Sequence, residues 1–194
     1  MQPRHLQSQP GLFEEPAPGL PEGFTYRPDF LSGAEEQELL EHVCELPFRE
    51  FEFHGFLGMR RIVSFGWRYD FNGGGLQKTD DMPDFVTAVR RKAAHFAGLP
   101  ASELQQVLIT EYRPGAAIGW HKDRSVFGEV VGISLLSACA FRLRRRRGAS
   151  WERASIRLEP HSAYLLKGSA RRDWEHSIPA VDELRYSLTF RNLK

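Results

Sequence analysis

His121 and Asp123 are the first residues in this chain whose types and spacing suggest chemistry. They close the stretch Tyr112–Asp123, Y-R-P-G-A-A-I-G-W-H-K-D. In a β-strand, side chains two apart share a face, so the imidazole and the carboxylate would converge on one point, with Lys122 directed away. They are two members of the 2-His-1-carboxylate set that holds a non-haem iron with open positions. Such a triplet also arises often by chance, and a surface strand with a local hydrogen bond is the plainer reading of it.

A third ligand has to come from the other histidines. His5 lies in an N-terminal arm, His42 and His95 on expected helices, and His54 and His161 in or beside turns. His176, in W-E-H-S-I-P before the last strand, could return beside His121 and Asp123 if the sheet folds back on itself. The last strand, L-R-Y-S-L-T-F-R from Leu184 to Arg191, is more specific. Tyr186, Leu188 and Phe190 alternate with Arg185, Ser187, Thr189 and Arg191, so both arginines share one face with two small hydroxyls. A guanidinium is costly to bury unpaired. The same face suits a dianion, because arginine grips carboxylates in a bidentate fork. A solvated edge strand is the alternative.

Composition and patterning say what positions these groups. The chain of 194 residues suits one domain with a tail; it is 41% hydrophobic and 26% charged, ordinary for a soluble globular protein. Lys and Arg number 26 against 25 Asp and Glu, so no global field argues for a polyanionic partner. Cys44 and Cys139 make neither a metal-ligand spacing nor a disulfide framework, and they suit a reducing interior. No apolar run is long enough to span a membrane and no secretory signal is visible, so a cytoplasmic location without membrane contact is expected. Residues 1–23, rich in Pro and Gly, read as a flexible arm.

Phe24 to Phe30 reads as a lead-in strand. Ser32 with Glu35 is a capping box, opening a helix with Leu39, Leu40, Val43 and Leu46 on one face. A second helix is expected from about Pro83 to Ala97. Between them, Arg61 to Phe71 alternates strictly, placing Val63, Phe65, Trp67, Tyr69 and Phe71 on one face. That aromatic row reads equally as core packing or as a platform for a flat substrate. From Gln105 onward, strands are expected near 106–112, 117–123, 130–137, 139–146, 151–158, 163–167, 174–178 and 184–191, separated by regular turns. The pattern argues for a mainly β (α+β) sandwich or barrel with two N-terminal helices packed outside.

H-K-D, a later histidine and R-Y-S-L-T-F-R together resemble the AlkB family of Fe(II)- and 2-oxoglutarate-dependent dioxygenases, as does R-P-G-x-x-I-G-W-H-x-D. The resemblance runs from Phe24 to Leu193 and is most specific after Gln105. It implies a double-stranded β-helix, or jelly roll, at 105–194, preceded at 24–104 by an extension and substrate lid. It implies His121, Asp123 and His176 as ligands of Fe(II). Arg185 would bind the distal carboxylate of 2-oxoglutarate. Arg191 would lie near the end of it that chelates iron, and Tyr112 would hydrogen-bond it. Thr110 stands where many members have Asn, and its hydroxyl can still bind a carboxylate; with Ser187 it completes the expected cosubstrate set. Ser125 stands where some DNA-repairing members carry an acid that contacts the base.

The implied reaction consumes 2-oxoglutarate and O2, releases succinate and carbon dioxide, and hydroxylates a C–H bond, commonly an N-methyl group lost as formaldehyde. Phe65, Trp67, Tyr69 and Ser125 are the implied substrate contacts. Alkylated DNA or RNA, single-stranded or base-flipped, is the implied partner, and a monomer is expected. Basic clusters at Arg60-Arg61, Arg142–Arg147 and Arg171-Arg172 fit a phosphate backbone, a solvated hairpin end being the alternative for the second. Two other readings remain: the same chemistry on a protein or small molecule, and a binding module on the same fold that has lost its metal.

Overall fold

The computed structural model describes residues 19–53 and 56–194. His5, His54 and most of the expected arm lie outside the described residues. Residues 20–23, read as part of that arm, are held in place: Lys167 N donates to Gly23 O and Ala170 N to Glu22 O, both at 2.9 Å. Gly23 has φ +85°, and a Cβ there would meet the Lys167 carbonyl oxygen at 2.1 Å, so the approach requires glycine.

In chain order the elements are β1 (Phe24–Arg27), α1 (Gly33–Val43), β2 (Arg49–Phe53), β3 (Phe56–Phe65), β4 (Trp67–Asp70), β5 (Gly75–Lys78), α2 (Thr87–Ala97), β6 (Gln106–Tyr112), β7 (Ile118–His121), β8 (Phe127–Leu135), β9 (Cys139–Arg147), β10 (Ser150–Leu158), β11 (Ala163–Leu166), α3 (Gly168–Arg172), β12 (Glu175–Ile178) and β13 (Arg185–Leu193). Ser32 caps α1 reciprocally with Glu35: Glu35 N donates to Ser32 Oγ at 3.2 Å and Ser32 N to Glu35 Oε2 at 2.9 Å. Pro83 starts a short 3-10 turn over Asp84–Val86, and α2 begins only at Thr87, because proline is compatible with the entry but supplies no cap.

A seven-stranded sheet in the order β1-β11-β8-β13-β6-β3-β2 and a four-stranded sheet in the order β10-β9-β12-β7 carry the fold. Neighbouring strands within both run antiparallel. Alternation divides the large sheet cleanly. Val107, Ile109, Val131, Ile133, Leu135, Leu188 and Phe190 face α1 and α2, where Leu39, Val43, Val89 and Ala93 complete one core. The opposite face, with Tyr112, Val130 and Tyr164, meets Cys139, Phe141, Leu143, Leu158 and Ile178 of the small sheet in a second core.

The Arg61–Phe71 row is not one strand. Gly66 has φ +77°, and a Cβ there would meet the Gln105 carbonyl oxygen at 2.0 Å. The chain turns out of the large sheet at that point, and β4 pairs with β5 in a separate hairpin, Trp67 opposite Lys78. Val63 and Phe65 therefore stay against the helix-side core, apart from Trp67, Tyr69 and Phe71. β2, β5 and α3 were not anticipated from the sequence.

Candidate active site

β7 and β12 lie side by side with His121 directly opposite His176. The two rings sit 4.2 Å apart between centroids. Asp123 is not on the strand, which ends at His121. Its position comes from tertiary contacts. Arg171 is buried under the loop and donates to the carbonyl oxygens of Gly128 (2.7 Å), Asp123 (3.3 Å), Arg124 (2.8 Å) and Phe127 (2.8 Å). Arg171 is thus not available to a phosphate backbone, contrary to the expectation for the Arg171-Arg172 cluster. Arg61, in another of those clusters, is committed on the far face to Glu111.

The Asp123 carboxylate is nearly inaccessible, its side chain 5% exposed. Arg191 donates from Nε (2.8 Å) and Nη2 (2.7 Å) to its Oδ1. Oδ2 faces His176 Nε2 at 3.7 Å and is buried without a hydrogen-bond partner. Burial pushes the Asp123 carboxyl up, but Arg191, the two imidazoles and Arg171 together outweigh it and hold the carboxyl well below its ordinary range. Burial lowers the His121 imidazole and takes His176 down to about 3, with neighbouring His121 adding to the latter. At neutral pH the cluster is therefore one carboxylate and two neutral imidazoles.

This donor set fits a divalent metal in its chemistry, since ligands must be deprotonated to bind. His121 Nδ1 lies 2.9 Å from the Gly119 carbonyl oxygen, which can only accept, so Nδ1 carries the proton and Nε2 keeps its lone pair. Among the described residues no three His, Cys, Asp or Glu side chains stand ready-set around one point. Asp123 is engaged by Arg191 instead, and its orphaned Oδ2 is the atom turned toward the histidines.

Beyond these three residues the pocket is lined by Thr110 and Tyr112 of β6, by Arg185, Ser187, Thr189 and Arg191 of β13, and by Leu108, Val130, Phe141, Tyr164 and Ile178. The alternation read from the sequence thus puts both arginines on the pocket face, but they differ in state. Arg191 is paired with Asp123 and donates to Gln106 Oε1 at 3.1 Å. Arg185 is 1% exposed and, among the described residues, meets no carboxylate. Its Nε and Nη2 reach only Ser134 Oγ, at 3.3 and 3.2 Å, and Nη1 is buried without a partner. Its Cζ lies 4.9 Å from the centroid of the Tyr112 ring. A cation so placed calls for an anion from outside the chain.

The expected substrate contacts are dispersed. Phe65 is core and Trp67 does not line the pocket. Tyr69 is tied to the site through Arg124, the residue after Asp123, whose Cζ lies 4.8 Å from the Tyr69 centroid and 4.9 Å from that of Phe71. Ser125 is exposed in the same loop. Two residues that matter, Ser134 and Tyr164, were missed, and Arg171 was assigned to phosphate instead. Ser134 steadies Arg185. Arg171 steadies the Asp123 loop. Tyr164 enters the pocket over Gly132, where a Cβ would meet its Cζ at 2.2 Å. Only Gly132, set between Val131 and Ile133 in the strand, could have signalled the last of these.

A family model described as the 2OG-Fe(II) oxygenase superfamily matches residues 23–191. The Arabidopsis thaliana "Alkylated DNA repair protein ALKBH8 homolog" is 26% identical over 81% of this chain and 51% of its own length. The "Alpha-ketoglutarate-dependent dioxygenase AlkB" of Salmonella typhimurium is 28% identical over 80% of this chain and 83% of its own. The chain thus spans about half of the Arabidopsis relative, and 26% of a Xenopus tropicalis tRNA (carboxymethyluridine(34)-5-O)-methyltransferase to which it is also similar. Among solved structures, OsALKBH1 superposes with a TM-score of 0.68 at 15% identity, covering 88% of this chain and 98% of that one.

Proposed function

The chain belongs to the 2OG-Fe(II) oxygenase superfamily, with AlkB homologues among its relatives, and on that premise we propose that it oxidatively demethylates N-alkylated bases in DNA or RNA. The observation that carries the reading is Arg185, a fully buried guanidinium without a carboxylate, lining the same pocket as His121, Asp123 and His176. In this reading His121, Asp123 and His176 hold Fe(II). Bound there, the metal supplies the activation of O2 that oxidises 2-oxoglutarate and a substrate C–H bond.

The rest is the work of the chain. Arg185 takes the distal carboxylate of 2-oxoglutarate as a bidentate pair, with Thr110, Tyr112 and Ser187 as hydroxyl partners. Arg191 orients the Asp123 carboxylate by holding Oδ1, which leaves Oδ2 directed inward. The Gly119 carbonyl fixes the His121 tautomer. Leu108, Val130, Phe141 and Ile178 keep the pocket dry, so the charges act in a low dielectric. The hairpin of β4 and β5, with Tyr69 beside Arg124, would serve as the substrate lid within the 24–104 extension. The strands of 105–194 in the two sheets would then form the two sides of a double-stranded β-helix.

Ser125 favours a second reading, the same oxidation on a protein or small molecule, because it offers no charge to a cationic alkylated base. A metal-free binding module sits poorly with an orphaned Asp123 oxygen and an unpaired Arg185. The test is succinate release by Fe(II)-loaded protein given 2-oxoglutarate, with and without methylated single- and double-stranded oligonucleotides. Turnover raised by a methylated strand, with formaldehyde and the demethylated base as products, is the expected result. No succinate under any condition rejects both enzyme readings. Succinate release indifferent to every methylated strand rejects the first.

A further inference from the structure

The outer face of the small sheet is crowded with arginine and tryptophan. On β9, Phe141 and Leu143 point into the core, so Arg142, Arg144 and Arg146 point out. On β10 the cross-strand partners of the last two are Arg153 and Trp151. Trp120, next to His121 on β7, completes the face.

The side chains interleave. The Arg144 guanidinium lies 4.4 Å from the Trp120 ring centroid and 4.3 Å from that of Trp151. Arg142 approaches Trp120 at 5.9 Å and Arg146 approaches Trp151 at 5.5 Å. The result is a ladder of alternating indole and guanidinium planes. Glu175 answers Arg144 at 2.6 Å. Arg142, Arg146 and Arg153 form no ion pair among the described residues. Arg144 and Arg153 stand directly opposite one another, and Glu175 offsets this like-charge pairing on the Arg144 side. Trp120, Arg142 and Arg153 also line an open depression of about 350 Å³, within the span of ligand pockets, roughly 300–1,000 Å³.

We propose that this tryptophan–arginine ladder is a binding surface for single-stranded nucleic acid, separate from the oxidation pocket on the other side of the same strands. Contact with the indole rings holds the guanidinium groups in a row, and a guanidinium fork matches phosphate oxygens. Bases of an unpaired strand supply further π-faces for the indoles, without regard to sequence. A duplex offers phosphates but no unstacked bases, so the strand, and not the duplex, matches both halves of the surface. Choosing this occupant rests on the nucleic-acid reading above; the ladder itself does not.

The test is fluorescence anisotropy with unmethylated single-stranded DNA and RNA, full-length chain and a salt series, without added iron or 2-oxoglutarate. Replacing Arg142, Arg146 and Arg153 together by Ser is expected to weaken binding at least about tenfold. It also flattens the slope of log affinity against log salt by about 0.7 for each phosphate that is no longer neutralised. Replacing the same three by Lys keeps the charge and most of the slope, which guards against a Ser variant that fails to fold. Binding quenches tryptophan fluorescence in the wild type and less in Trp151→Ala. Unchanged affinity and slope in the Ser variant overturn the proposal, as does tighter binding to heparin or to phosphatidylserine vesicles than to the strand. Because the assay needs no methyl group and no metal, a chain that never demethylates can still bind through the ladder. One that demethylates while its strand binding ignores these arginines refutes the ladder alone.

Discussion

The two faces of the large sheet are made by the same strands and differ in how they treat charge. Toward the helices, Glu111 is 5% exposed and fully answered. Arg61 grips it with Nε and Nη2, both at 2.7 Å, Arg113 Nε adds a bond at 2.9 Å, and the Tyr186 hydroxyl donates at 3.3 Å. Toward the small sheet, Arg185, adjacent to Tyr186 in the chain, is at least as buried and among the described residues is answered only by a serine hydroxyl. A buried charge with partners is part of the scaffold. A buried charge without them is kept at a cost, and the natural reason is a ligand.

Three substitutions test this difference between the two faces. The largest effect is expected from Leu188→Ala on the helix side, where the side chain is fully buried. It should remove about 2–5 kcal/mol of unfolding free energy in urea denaturation while leaving 2-oxoglutarate affinity per folded molecule as it was. Next, Arg185→Leu should reverse that pattern. Cosubstrate affinity by calorimetry falls at least about a hundredfold, about 2.8 kcal/mol at 1.4 per tenfold, while ligand-free stability holds or rises because an unpaired charge has gone. A strongly destabilised Arg185→Leu protein would show the arginine to be structural.

The smallest effect is expected at Glu111, whose pKa is lowered chiefly by the Arg61 hydrogen bonds, working against burial. A lowered folded pKa means stability that is present above the ordinary carboxylate range and is lost as pH falls through the folded value. Glu111→Gln should therefore cost about 1–3 kcal/mol at pH 7 and flatten the acid limb of the stability–pH curve. An acid limb identical to that of the wild type would remove Glu111 from this role.

Some of this was legible without coordinates because it depends on period alone. β13 writes its two faces in a single line of sequence, apolar and aromatic on Tyr186, Leu188 and Phe190, polar on Arg185, Ser187, Thr189 and Arg191, and the folded chain keeps that division. The Ser32–Glu35 box is likewise local, a contact three residues long. The same reasoning misread the Arg61–Phe71 row, since alternation continues across Gly66 while the backbone does not. Strict periodicity cannot register the positive φ of Gly66 or its close approach to the Gln105 carbonyl.

By itself, then, the sequence determined most of the strands beyond Gln105, the two faces of β13 and the helix start at Ser32. These follow from contacts within a few residues and from the two-residue repeat of a pleated strand. The tertiary structure alone decided that His121 stands opposite His176 and that Asp123, beyond the end of its strand, is aimed by Arg171 and Arg191. It also decided that one arginine of β13 is satisfied and the other is not. Pairing between strands far apart in the chain, and the presence or absence of a counter-charge, are properties of the assembled sheets and leave no periodic mark on the sequence.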